Sequence, residues 1–296
     1  MLRHTPYDGS SKLFRIGLGP LDPAEWIDVD DRLHAYLDEK QLLWRERPDE
    51  VFAAEAGTEA AQAEVLALLL AHLPARFPGR YRRDGDAMHI APGRVVPLAD
   101  GAPPLWTAAR LVQEDLVLMR RAPAGWRLAA ASLSFPSSWA LADKIGRPID
   151  EVHAPVPGFG GGTRNAELIA RMFDNLRPET PMLRWNWSLY GDERLFHPET
   201  ADAGARRFGV GERADPVVLR SERQTLRRLP ESGDIVFTIR IAVEPLATLE
   251  RHSRRHEIAA ALIAQIEALR PDELAYKGLS AERGRVLARL GELLLP

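Results

Sequence analysis

Residues 151–159, EVHAPVPGF, set one imidazole between an acidic pair, Asp150 and Glu151, and a tail broken by prolines. A histidine can ligate iron or zinc, act as a general base, or simply hydrogen-bond to backbone. Pro155 and Pro157 restrict their own φ and bias Ala154 and Val156 toward extended backbone. That leaves His153 few directions in which to point. A second group of polar residues lies on apparent strands. In MLRWNWSLY (182–190), Arg184, Asn186 and Ser188 share one side by the period of two, opposite Leu183, Trp185, Trp187 and Leu189. In residues 217–229, Arg220, Glu222 and Gln224 share one side, and Arg223, Thr225 and Arg227 the other. If Arg184, Asn186, Glu222 and Arg240 point inward they form a polar pocket, and if outward a solvated face.

Other motifs carry less chemistry. GFGGGTRN (158–165) lacks the Lys-Ser/Thr ending of a phosphate loop and follows no strand, so it reads as a joint before a helix. His252 and His256 are four apart, but no glutamate follows His252 as a zinc-protease helix requires, and a surface helix is expected. There is no Gly-x-Ser-x-Gly elbow. The 296 residues contain no cysteine, which excludes disulfides, cysteine nucleophiles, iron–sulfur clusters and thiolate-ligated heme. Any metal must be held by nitrogen or oxygen donors. A net charge of −3 argues against general nucleic-acid binding. The first twenty residues show no secretory apolar run, and no stretch is long enough to cross a membrane, so a cytoplasmic protein is expected.

The elements that must position these groups follow from periodicity and breakers. Residues 1–30 look irregular. A helix is expected from near Asp30 to Pro48, and a second from Thr58 to Pro74, making the first eighty residues mostly helical. Short strands are expected at 87–90 and 94–98. Strands at 116–121 and 126–133 flank Ala-Pro-Ala-Gly, a hairpin signal. A helix at 137–145, the histidine stretch, and a helix capped by Thr163 follow. Strands at 182–190, 217–229 and 234–243 come next, the last two joined by Pro-Glu-Ser-Gly. Helices opening near Pro245, Pro271 and Ser280 close the chain. The class is α+β: an antiparallel sheet in PAS-like order, with covering helices between its second and third strands and helical segments at both ends. Three regions are expected in one compact unit: a mostly helical 1–100, a core at 101–245, and C-terminal helices at 246–296.

Three long stretches then act together. FPSSWALADKIGRPIDEVHAPVPGF (135–159), LRWNWSLYGDERLFHP (183–198) and LRSERQTLRRLPESGDIVFTIRIAV (219–243) resemble the heme-dependent oxidative N-demethylase alpha-subunit-like family. The resemblance spans residues 10–250 and is strongest from 126 to 245. It implies a PAS-type fold holding heme b, and oxidative removal of a methyl group from a small secondary amine such as dimethylamine, giving primary amine and formaldehyde. It also implies O₂ and electrons from NADPH delivered through flavin and iron–sulfur reductase partners, because a chain without cysteine cannot hold such a cluster. Carried onto this sequence, it makes His153 the axial iron ligand, with Asp150 or Glu151 bonding the other ring nitrogen. Arg184, Arg220, Arg223, Lys144 and Arg147 become partners for the propionates. Glu222 pairs with the amine, and Asn186 and Gln224 orient it. A non-catalytic heme or small-ligand sensor built on the same pocket is the alternative.

Overall fold

A computed structural model describes residues 4–202 and 204–295. Ten strands run in chain order: β1 Gly19–Pro20, β2 Phe52–Ala54, β3 Tyr81–Asp84, β4 Ala87–Ile90, β5 Arg94–Pro97, β6 Asp115–Ala122, β7 Gly125–Ser132, β8 Met182–Tyr190, β9 Val218–Arg228 and β10 Ile235–Pro245. Seven form one antiparallel sheet in the order β1-β8-β9-β10-β6-β7-β2, and β3-β4-β5 form a small separate sheet. The chain is thus mixed α+β. The hairpin turns fall where the sequence placed them. At β9–β10, Gly233 takes φ 74° and donates to Leu229 O at 3.1 Å, while the buried Glu64 carboxylate accepts from Glu231 N at 2.7 Å and Ser232 N at 2.9 Å. Gly233 has no Cβ to oppose that left-handed backbone.

Register decides the faces. Ile235, Ile239, Ile241 and Val243 of β10 pack with Phe159, Ile169, Phe173 and Leu176 from the segment between β7 and β8. The opposite face meets two helical layers. Val236, Leu116 and Leu118 pack with Leu33, Leu37, Val65 and Leu69 of the N-terminal helices. Trp187, Leu189 and Leu219 pack with Ile258, Leu262, Val286 and Leu290 of the C-terminal ones. Both faces are therefore covered, and the charged residues of β9 are inside: Arg220, Glu222, Arg223 and Gln224 are all buried.

Several local expectations change. The second helix runs Glu59–Arg76 through Pro74. The ring stands in the helix's last turns, where the missing N–H removes one bond and Phe77 N still closes on Leu73 O at 2.9 Å. The first helix begins at Leu33, and Asp30 Oδ1 accepts from Arg32 N at 2.8 Å just ahead of it. Residues 137–145 hold only a 3-10 turn, Leu141–Asp143, because Ser137 bridges to His197 instead. Among the described residues no helix is long and apolar enough to cross a membrane.

Helix Arg164–Asn175 lies on the cover of the first face. Thr163, at extended φ −88° and ψ 153°, accepts from Ala166 N through its hydroxyl at 3.2 Å, satisfying a donor the helix cannot. Thr163→Ala should lower stability by about 1 kcal/mol, measured as a reduced urea midpoint with unchanged slope; an unchanged midpoint would show that the cap is idle.

Candidate functional site

The cross-strand register puts Arg184 opposite Gln224, Asn186 opposite Glu222, and Ser188 opposite Arg220. Glu222 in turn faces Ile241, and Gln224 faces Ile239. All of these side chains stand on the face covered by the segment that carries His153. Trp185 and Trp187, together with Arg223 and Arg240, stand on the other face.

Neighbouring charges in this layer have different fates. Arg220 is spent on structure: its guanidinium donates to Ser137 Oγ at 3.0 Å and to the carbonyls of Phe135, Pro136, Arg194 and Leu195 at 3.0–3.2 Å. Arg223, expected beside Arg184 and Arg220, is turned away and donates to the carbonyls of Trp26 and Glu25. Arg240 likewise faces away and pairs with Asp30 at 2.7 Å. The period of two forces both corrections, since each is an odd number of residues from Glu222 or from its cross-strand partner Ile241. Arg147 is exposed, with its carbonyl accepting from Leu128 N at 3.1 Å.

Lys144 donates to Val152 O, beside His153. His153 ends the short helix Ile149–Val152, its backbone N–H donating to Ile149 O at 3.0 Å, and its half-buried ring lies 6.2 Å centroid to centroid from the Phe159 ring. Successive turns follow it, with Val156 N donating to His153 O at 2.8 Å and Phe159 N to Val156 O at 3.0 Å. Burial, then the charges of Arg184 and Lys144, pull its pKa to about 4, with Asp150 opposing. The ring is therefore neutral near pH 7 and keeps a lone pair. Among the described residues neither Asp150 nor Glu151 hydrogen-bonds the ring; Asp150 Oδ1 accepts from Glu151 N at 3.1 Å instead.

Glu222 and Gln224 are joined, Gln224 Nε2 donating to Glu222 Oε2 at 2.7 Å. A carboxylate only accepts, so this contact fixes the amide. Gln224 Oε1 is then a buried acceptor with no partner. Arg184 donates to Arg15 O at 3.3 Å, while its Nε is buried without a partner.

The remaining members come from far along the chain. β1 pairs only with Met182 and Leu183, so the rest of β8 would be an open edge. Lys277 closes it, donating to Trp187 O at 2.7 Å, Ser188 Oγ at 3.0 Å and Asn186 Oδ1 at 3.2 Å. Gly278, at φ 65°, turns the chain back directly after it, and a Cβ there would meet the Arg207 guanidinium at 2.8 Å. Burial lowers the Lys277 pKa to about 8, with Glu222 opposing and Arg184 and Arg207 adding to the fall. Burial, then Glu222 and Tyr190, raise Tyr276 to about 12. Tyr276 meets Phe14 edge-on at 5.8 Å, and Arg207 lies over the Tyr190 ring at 4.0 Å. The sequence signal for Lys277 was slight: one lysine amid the weakly polar run LAYKGL.

Farther along the same face, Met182 and Leu226 line an apolar cavity of about 390 Å³ with Leu18, Met172, Phe173 and Leu176. That size lies within the range of small-molecule pockets. His252 and His256 do not join any site: His252 precedes helix Arg255–Glu267, and its Nδ1 accepts from Arg254 N at 3.1 Å. Among the described residues no cluster of three His, Asp or Glu could hold a metal ion.

The arrangement is that of a mixed α+β protein with a layer of buried polar side chains on one covered sheet face. The chain belongs to the haem-dependent oxidative N-demethylase, alpha subunit-like family, whose model matches residues 17–287. No curated protein matches the chain.

Lys277 gives a pH signature. Below about pH 8 it is protonated folded and unfolded; between about 8 and its ordinary 10.5 only the unfolded chain holds the proton. Its contribution to stability therefore rises with pH across that window. The stability of the protein minus that of Lys277→Met should increase from pH 8 to 10, read by urea unfolding; a flat difference would contradict the buried lysine.

Proposed function

We propose that this chain is the heme-binding subunit of an oxidative N-demethylase acting on a small secondary amine, dimethylamine being the simplest. The family supports heme dependence and N-demethylase chemistry. The observation that carries the substrate reading is the Glu222–Gln224 pair. Gln224 Oε1 is a buried acceptor without a partner, and it stands beside a carboxylate on the same face of β9. A secondary ammonium has two N–H groups, one for each residue. Charge on Glu222 favours the cation, and Asn186 flanks it.

The residues also fit heme. His153 offers a neutral, half-buried imidazole whose ring makes no hydrogen bond among the described residues. An apolar cavity lies farther along the same sheet face, lined by residues other than His153. The resemblance to the family implies heme b, and the absence of cysteine from the sequence rules out thioether attachment. His153 would hold the iron, and Lys144, with donors beyond its bond to Val152 O, would pair with a propionate. When bound, heme supplies O₂ activation and oxidation of the N-methyl carbon. The chain's own part is to hold the amine at Glu222 and Gln224 and keep water out of a site covered by the 149–176 segment.

The order of the five central strands, third-fourth-fifth-first-second by chain position, supports a PAS-like reading of this sheet. Electrons would come from NADPH in the cytoplasm, through flavin and iron–sulfur centres on partner subunits, since no cluster can be held here.

The absorption spectrum of the purified protein should show a Soret band that His153→Ala abolishes or shifts. Amine-induced spectral changes should weaken about tenfold or more in Glu222→Gln, which removes the charge from the hydrogen bond. With a reductase and NADPH, dimethylamine should yield formaldehyde. An unchanged band in the His153 variant removes it as ligand; a reducible heme without turnover of any N-methyl amine would favour a sensor.

A further inference from the structure

We propose that the amine taken by this site carries a carboxylate, making it an N-methyl amino acid of which sarcosine is the smallest. This rests on reading Glu222 and Gln224 as the amine subsite. Beside that pair, on the same face, is a second subsite built of donors. Arg184 stands opposite Gln224 and diagonal to Glu222. Its Nε is buried with no partner, and its one hydrogen bond, to Arg15 O, is long at 3.3 Å. Among the described residues Arg184 and Glu222 make no ion pair, although Arg184 feels the charge of Glu222. A plus and a minus on one covered face are thus held apart rather than joined.

Asn186 adds a second donor, and Lys277 dictates its orientation. An ammonium can only donate, so the Asn186 atom 3.2 Å from Lys277 Nζ must be Oδ1. The Asn186 amide therefore presents its N–H groups, not its oxygen, to the space beside Glu222. Dialkylammonium ions have no acceptor to offer either Arg184 or Asn186. A carboxylate meets both, and Arg184 can grip it through Nε and a terminal nitrogen together. Charge points the same way, because Lys277 feels two cations, Arg184 and Arg207, against one carboxylate, Glu222. Diagonal neighbours across two antiparallel strands are about 7–8 Å apart. An amine and a carboxylate on one carbon bridge that span once a hydrogen bond is added at each end.

The reaction balances with the co-reactants the reading already requires. Sarcosine, O₂, two electrons and two protons give glycine, formaldehyde and water. One oxygen atom inserts into a methyl C–H bond, and the other leaves as water. The C–N bond of the carbinolamine then breaks, its hydroxyl proton passing to the departing nitrogen.

Calorimetric titration of the full purified chain with sarcosine and with dimethylamine tests this without turnover. Sarcosine should bind at least about tenfold more tightly, the scale of one charge-assisted hydrogen bond. Arg184→Gln should erase that preference, and Arg184→Lys should keep part of it. Equal or tighter binding of dimethylamine by the unaltered protein overturns the proposal and leaves the amine reading standing. Binding of neither amine overturns both. Loss of heme from the Arg184 variants, with the sarcosine preference intact, would assign Arg184 to a propionate and overturn the proposal.

Discussion

A charged side chain inside a protein must find a partner, and β9 places a run of them there. Residues 220–225 are Arg, Ser, Glu, Arg, Gln and Thr, all buried because helices cover both faces of the sheet. Burying such groups unpaired costs several kcal/mol each. Much of the surrounding chain is arranged to meet that demand. Arg220 gathers the carbonyls of residues 135–136 and 194–195, tying two long connections to the sheet centre. Arg223 holds the carbonyls of residues 25–26 against the opposite face. Thr225 meets Thr238 of β10 hydroxyl to hydroxyl at 2.6 Å.

Against that background the exceptions stand out. Gln224 Oε1 and Arg184 Nε are buried and unpartnered, and both border Glu222 on one face. Natural proteins satisfy nearly all such atoms. The acceptor and the donor stand opposite each other across β8 and β9, one step along the face from the carboxylate.

The site is completed by parts distant in sequence. Lys277 lies about ninety positions beyond Asn186, yet fixes its amide and covers the exposed edge of β8. The C-terminal helices thus pack one face of the sheet while their linking turn reaches the polar side chains of Asn186 and Ser188 on the other. The same wrapping explains how His153, from the cover, feels the charge of Arg184 on the strand beneath it.

The sequence by itself determined the strands and turns that carry the site. Alternation in 182–190 and 234–243, and the Pro-Glu-Ser-Gly turn, were legible because they are local and depend on neighbours two to four residues away. It also showed which side chains share a face, since period two admits no other choice. It could not say that both faces are covered, nor which of the two holds a pocket. Pro74 within a helix and the bridge that replaces a helix after Ser137 were settled by packing against distant elements. Tertiary structure alone decided which buried arginines gather several carbonyls and which, Arg184, keeps an unpartnered Nε, because a hydrogen-bond partner for a buried group comes from whatever segment lies nearest in space.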